Sequence, residues 1–255
     1  MTTPALTIVP TPADVSAAAA SFIVGRLGEA IAERGVAHWC TTGGSSCPGI
    51  YRALCEAPLR DQIDWTRVHT WWGDDRFVPA GDALSNVTPF DDIMLSPDGG
   101  LTIPAANVHP IRVAEAIATG GGPAGAAAAY AAEIAVAGPA TDGDGLPVFD
   151  LVILGVGPDG HILSCFPGSA VFDSTRWVES VPAPTHVEPH VPRVTINVSL
   201  VRAARSVLVA TSGGAKAELL ARVWAGGDPR ELPLRTTLLP TATWLLDEAA
   251  AADLR

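Results

Sequence analysis

Positively charged side chains are scarce in this sequence. The chain of 255 residues carries 16 lysines and arginines against 27 aspartates and glutamates, which gives a formal charge of -11, and Lys216 is its only lysine. Nucleic acids and anionic membranes select for a basic patch, and no run of Lys or Arg occurs here. We therefore expect no nucleic acid and no membrane as partner, whereas an anionic small molecule needs only a few cations that converge locally.

Cysteine is also rare, with four residues and no Cys-x-x-Cys pair. Without such a pair the sequence predicts reduced thiols, not a disulfide framework or a structural zinc site. Two of the histidines, His186 and His190, are four residues apart, but their proline-rich segment disfavours the helix that would bring them together. We expect no metal.

Features of secretion or membrane insertion are weak. The segment Met1–Val9 has no basic residue ahead of an apolar stretch, which argues against a signal peptide. The alanine-rich segment Ala124–Ala137 carries Glu133 and is too weakly apolar for a membrane span. We expect a cytoplasmic protein.

What the sequence does have is 48% hydrophobic residues, in short apolar runs that alternate with helical stretches. This alternation predicts one catalytic domain over residues 1–255, with a doubly wound α/β fold of the Rossmann type: a largely parallel sheet with helices on both faces. The predicted strands are Val36–Thr42, Val68–Trp72, Leu151–Leu154, Trp177–Val181, Val194–Val198, Val207–Thr211 and Thr243–Leu246. The predicted helices are Ala13–Glu33, one after Pro48, Pro123–Ala137 and Ala215–Val223.

Ligands of open parallel sheets bind at the carboxyl ends of the strands, so the loops there are where chemistry is expected. The first such loop contains Gly43, Gly44, Ser45 and Ser46 and precedes a predicted helix. Its glycines let the backbone approach an anion, and the helix N-terminus favours a phosphate. A plain turn fits the same pattern equally well.

The second loop, Trp71-Trp-Gly-Asp-Asp-Arg76, places Asp74, Asp75 and Arg76 directly beyond an apolar run. A solvated surface ion cluster has the same composition, but the position at a strand end favours a site.

Two more cations follow other predicted strands or begin them. Arg193 starts one strand, and Lys216 ends the segment Thr211-Ser-Gly-Gly-Ala-Lys216, which opens a helix. A cation in the first turn of a helix is unfavourable unless an anion is also bound, which indicates a phosphate near Lys216. Simple surface exposure is the alternative for both residues.

The third strand-end loop contains Gly155-Val-Gly-Pro-Asp-Gly-His161. It includes the spacing of a dinucleotide-binding motif, G-x-G-x-x-G, with the acidic Glu179 further on. Pro158 in the turn and the early Pro167 argue against the long helix that such a motif requires. We favour instead a turn that presents His161 as a general base, because an imidazole can take a proton from water near neutral pH and return it.

Taken together, these segments resemble the 6-phosphogluconolactonase family, which is similar in fold to the glucosamine-6-phosphate deaminases and ribose-5-phosphate isomerases. The matching segments are Thr42-Gly-Gly-Ser-Ser46, Gly49-Ile-Tyr51, Trp72-Gly-Asp-Asp-Arg76, Val78-Pro79, Ser85-Asn86, Gly155-Val-Gly-Pro-Asp-Gly-His161, Ser164-Cys-Phe-Pro-Gly168, Arg193-Val-Thr, Ala203-Ala-Arg205 and Gly214-Ala-Lys-Ala-Glu218. Two positions depart from the family pattern: Asp75 stands where glutamate is common, and Pro48 stands where lysine is common.

The resemblance implies a cofactor-independent hydrolase that acts on a sugar-phosphate lactone, as a monomer or weak homodimer. It implies catalytic roles for His161, Asp74 and Arg76. The substrate or phosphate contacts it implies are Gly43, Gly44, Ser45, Ser46, Asp159, Gly160, Arg193 and Lys216.

The sequence is compatible with two alternative functions. One is a deaminase or sugar-phosphate isomerase of the same fold; the deaminases have an Asn-Glu-Pro sequence after their Asp-Gly-His, where this chain has Cys165-Phe-Pro167. The other is a sugar-phosphate sensor without catalysis, which normally carries a DNA-binding segment that this sequence does not show. A nucleophilic Ser164 or Cys165 is a further mechanistic alternative, although the strand-to-helix nucleophile elbow is missing.

Overall fold

The computed structural model describes residues 3–254. The strands in this range are β1 (Ala5–Val9), β2 (Ala37–Thr41), β3 (Val68–Trp72), β4 (Asp74–Arg76), β5 (Val108–His109), β6 (Leu151–Leu154), β7 (Val178–Val181), β8 (Arg193–Ile196), β9 (Val207–Thr211) and β10 (Ala242–Asp247). The α-helices are α1 (Pro12–Arg34), α2 (Cys47–Cys55), α3 (Thr88–Met94), α4 (Val113–Ala118), α5 (Gly122–Ala137), α6 (Val198–Ala203) and α7 (Ala217–Trp224).

The main sheet of the described residues has seven parallel strands in the order β1-β10-β9-β6-β2-β3-β5. Its inner strands β2, β6 and β9 are buried at every position. Runs of this kind, apolar without alternation, are what a parallel sheet with helices on both faces requires. The predicted α/β class and the parallel sheet are therefore confirmed.

The first helix, α1, is positioned by clear signals at both ends. Thr11 and Asp14 form a capping box, in which the Thr11 hydroxyl accepts from the Asp14 amide at 3.2 Å, and the helix ends at Gly35 with φ of 79°. Within residues 3–254 it is the one helix long and apolar enough to cross a membrane. It packs along β2, β9 and β10, and its apolar stripe is buried there, so it is a core helix.

A second, antiparallel sheet of three strands lies beside the main one, in the order β4-β8-β7. The predicted strands Trp177–Val181 and Val194–Val198 belong to this sheet, not to the parallel one, and the second predicted loop contributes its first strand. Apolar runs do not specify which sheet a strand joins, and a three-residue strand of Asp-Asp-Arg has no apolar signal. The antiparallel register sets Arg76 opposite Arg193 at the end of the main sheet.

Candidate active site

Loops at the carboxyl ends of β2, β3 and β6 enclose a cavity of about 470 Å³. Loop residues at 42–45 and 155–158 line it, together with the side chains of Asp74, Arg76, His161 and Arg193. A smaller cavity of about 110 Å³ shares the same two loops and adds Ser46 and Lys216. The structure thus brings the predicted loops together, with Lys216 in the smaller cavity and Arg193 in the larger one.

The turn after β6 fixes the position of His161, whose ring packs closely against the backbone of Gly157. The Gly157 amide donates to the His161 carbonyl at 3.1 Å, and a Cβ at Gly157 would lie 2.1 Å from Nδ1 of His161. Only glycine leaves room for the ring there. The side chain of His161 is 14% exposed and lines the larger cavity.

Asp159 binds Nδ1 of the His161 ring. Its Oδ1 lies 2.5 Å from Nδ1 of His161 and also accepts the His161 amide at 3.2 Å, while its Oδ2 lies 2.9 Å from Nε2 of His186. Burial acts to raise the pKa of Asp159, but the hydrogen bonds from both histidines and the charge of His161 outweigh it and hold that pKa well below its ordinary value. Because Asp159 occupies Nδ1, Nε2 is the ring nitrogen left for a ligand.

This arrangement revises two of the predicted substrate contacts. Asp159 and Gly160 line neither of the two cavities. Gly160 has φ of 84°, and a Cβ there would meet Leu232 and Leu219, so the residue shapes the turn and faces apolar side chains. The spacing in the motif predicted the turn, but not which way its carboxylate points.

Asp74 is 4% exposed and fixed on both oxygens. Its Oδ2 accepts the Ser164 hydroxyl at 2.6 Å and its Oδ1 accepts Nδ2 of Asn86 at 3.1 Å. Ser164 is fully buried and lines neither cavity, and burial raises the pKa of the Cys165 thiol to about 12. A nucleophile must be accessible and readily deprotonated, so neither neighbour of His161 suits that role.

Arg76 and Arg193 form a pair of cations on one wall of the larger cavity. Nη1 of Arg76 donates to the Leu84 carbonyl at 2.7 Å, and Nη2 of Arg193 donates to the Pro189 carbonyl at 3.0 Å. The Nε of each is buried and has no hydrogen-bond partner among the described residues. Buried donors without partners and two neighbouring guanidinium groups are suited to an anionic ligand.

The glycine loop and Lys216 line the smaller cavity. Gly44 has φ of 96°, and a Cβ at Gly43 would collide with the Asn86 side chain, so both positions require glycine. Ser46 precedes α2 without a side-chain cap, which leaves the start of that helix open to an anion. Nζ of Lys216 donates to the Val156 carbonyl at 2.9 Å, and burial lowers the pKa of its ammonium group.

Asp75 has a structural role that the sequence did not indicate. Its carboxylate is 2% exposed and accepts the amides of Arg76 and Asn86 at 2.8 and 2.7 Å and the Ser85 hydroxyl at 2.9 Å. It therefore fixes the segment that holds Asp74 through Asn86 and Arg76 through the Leu84 carbonyl. Burial raises the pKa of Asp75 to about 6, in spite of these hydrogen bonds.

The sequence of this chain is similar to that of proteins from one known family. The family model for glucosamine-6-phosphate isomerases/6-phosphogluconolactonase matches residues 10–245. A 6-phosphogluconolactonase of Streptomyces coelicolor is 38% identical over 246 residues, covering 93% of this chain and 89% of that protein. The chain belongs to this family.

Further relatives agree with the assignment. A 6-phosphogluconolactonase of Mycobacterium tuberculosis is 38% identical and the match covers 93% of each chain. The three-dimensional structure of the 6-phosphogluconolactonase from Trypanosoma brucei superposes with a TM-score of 0.87 at 26% identity and 100% coverage of both chains. A monomeric glucosamine-6-phosphate deaminase, at 17% identity and a TM-score of 0.77, shares the fold.

Proposed function

We propose that this protein hydrolyses 6-phospho-D-glucono-1,5-lactone to 6-phospho-D-gluconate, the second step of the oxidative pentose phosphate pathway. The observation that carries the proposal is His161: Asp159 binds its Nδ1, its ring lines the larger cavity, and Arg76 and Arg193 line the same cavity. A base of this kind beside an anion site fits the hydrolysis of an uncharged lactone ring that carries a phosphate. Family membership supports the same reaction.

In the proposed mechanism, Nε2 of His161 takes a proton from water as the water attacks the lactone carbonyl. The imidazolium then delivers that proton to the departing ring oxygen, so the histidine ends the cycle neutral. Asp159 favours both states, since it accepts Nδ1–H of the neutral ring and stabilises the charged one. Asp74 orients the water or the sugar hydroxyls, and Arg76 stabilises the negative charge that develops on the carbonyl oxygen.

The phosphate binds, in this proposal, at the loop of Gly43, Gly44, Ser45 and Ser46. The loop lines both cavities, with Arg193 in the larger one and Lys216 in the smaller one, so a dianion bound at the loop has a cation on each side. Binding energy from this remote group holds the lactone carbonyl over His161.

The segment that follows His161 favours hydrolysis over deamination. Where the deaminases have a glutamate after their Asp-Gly-His, Phe166 packs against the His161 ring with centroids 4.7 Å apart. An apolar ring at that place transfers no proton. We further propose that the chain acts as one catalytic domain without a cofactor, in the cytoplasm, as a monomer or weak homodimer.

The test is a lactonase assay on freshly generated substrate, corrected for spontaneous hydrolysis, beside an assay for ammonia release from glucosamine 6-phosphate. Lactone loss well above the background, without ammonia, is the expected result. Ammonia release would favour the deaminase. Binding of sugar phosphate with no turnover of either compound would favour a sensor and overturn the proposal.

A further inference from the structure

The loop at residues 182–192 carries a second histidine that binds the same aspartate as His161. We propose that His186 is a positioning residue for the reaction: its imidazole holds the Asp159 carboxylate in the orientation that keeps Nδ1 of His161 protonated and Nε2 free to accept a proton. The inference rests on the proposed function, because it assigns His186 a part in the work of His161.

The contacts divide Asp159 between the two imidazoles. Oδ1 serves the ring and the amide of His161, and Oδ2 lies 2.9 Å from Nε2 of His186. Both rings also pack on Phe166, with centroid separations of 4.7 Å for His161 and 5.7 Å for His186. Two imidazoles on one carboxylate and one phenyl ring form a single packed unit, although they lie 25 positions apart in the sequence.

Other charges compete for the same carboxylate. The negative charge of Asp159 acts to raise the pKa of both Arg193 and Lys216, so these two cations attract the carboxylate. Arg193 lines the larger cavity and Lys216 the smaller one. Glu188, on the same loop as His186, lines the larger cavity and adds a negative charge. Without a donor on Oδ2, only the contacts of Oδ1 with His161 oppose rotation of the carboxylate towards the cations. The bond to His186 opposes this rotation.

The loop itself is held firmly enough to place the ring. Nδ1 of His190 lies 2.7 Å from the Pro184 carbonyl oxygen, and Nη2 of Arg193 donates to the Pro189 carbonyl at 3.0 Å. Prolines in the segment restrict the backbone further. The His186 side chain is 52% exposed, so burial alone does not fix it, and its hydrogen bond to Asp159 does.

The chemical consequence concerns the tautomer of His161. A neutral imidazole carries one proton, and only the form with Nδ1–H has a lone pair on Nε2. If Asp159 turns away, the form with Nε2–H becomes populated, and that form cannot accept a proton from water. The bond from His186 to Asp159 is a hydrogen bond to a charged group, and we expect its loss to lower turnover about tenfold.

The experiment compares His186→Ala with His186→Gln, whose side-chain amide keeps an N–H donor. Thr185→Ala is the matched control from the same loop, because Thr185 is exposed and lines neither cavity. For His186→Ala we expect kcat to fall about tenfold with KM within about twofold of the wild type. His186→Gln should recover most of that loss, and Thr185→Ala should behave as the wild type. A general disturbance of the loop would instead raise KM, because Val187 and Glu188 line the cavity.

A second readout is independent of turnover. Nitrogen-15 NMR of the histidine rings reports the share of His161 in the Nδ1–H form; this share should fall in His186→Ala and return in His186→Gln. Wild-type kcat and an unchanged tautomer in His186→Ala would overturn the inference, as would a His186→Gln variant as slow as His186→Ala. If the wild type hydrolysed no lactone, the proposed function would fail, and the NMR comparison would still decide the role of His186.

Discussion

Asp75 offers a prediction whose size follows from its surroundings. The carboxyl is buried between β4 and the segment at residues 84–86, and burial raises its pKa from the ordinary 3.8 to about 6. In the unfolded chain the group ionises near the ordinary value. Between these two pH values the folded protein therefore binds more protons than the unfolded one.

The sign of the effect follows directly. A raised carboxyl pKa makes the folded state less stable as the pH rises through this window, and above about pH 6 the loss is complete. A shift of about two units at about 1.4 kcal/mol per unit amounts to about 3 kcal/mol. Asp75→Asn removes the titrating group but keeps a side chain of the same size with an acceptor and a donor for its neighbours.

Urea unfolding at several values between pH 4 and pH 7, followed by tryptophan fluorescence, measures the difference. Relative to the wild type, Asp75→Asn should gain about 3 kcal/mol in the free energy of unfolding over that range. Asp98→Asn, at an exposed position, is the control for the loss of one charge from a chain of formal charge -11. A difference between Asp75→Asn and wild type that stays constant with pH, or moves the other way, would refute the reasoning.

Two further variants test the site. Ser164→Ala removes the hydroxyl that donates to Asp74 at 2.6 Å. Loss of this hydrogen bond to a charged group should lower kcat by about ten- to a hundredfold in steady-state assays. Loss of all turnover in the variant, together with a trapped acyl-enzyme in the wild type, would instead show that Ser164 is a nucleophile. Lys216→Ala should raise KM by about tenfold or more and change kcat much less, because the lysine is assigned to the phosphate; an unchanged KM in steady-state assays would remove it from the phosphate site.

The sequence predicted the parallel sheet well, because its inner strands are buried on both faces and read as apolar runs. It missed β1, whose residues are partly exposed, and β5, which has only two residues. It also placed β7 and β8 with the other strands, since periodicity reports burial and not the partner strand. The pairing of Arg76 with Arg193 depends on that antiparallel register.

Within the site, the local pattern predicted the turn that presents His161, because glycine spacing and the strand end are visible in the chain. The contacts to distant segments were not visible. Asn86 belongs to one of the family motifs, but its bond to Asp74 depends on the fold. His186 reaches Asp159 across 27 residues, and no spacing rule predicts such a contact.

The central claim is that His161 activates water, and its most direct measurement is lactone hydrolysis by His161→Ala. Turnover should fall by about a hundred- to ten-thousandfold, which is the usual contribution of a general base. Affinity for 6-phosphogluconate, measured by calorimetry, should stay within a few-fold of the wild type because the phosphate contacts remain. Hydrolysis at the wild-type rate, above the spontaneous background, would contradict the account.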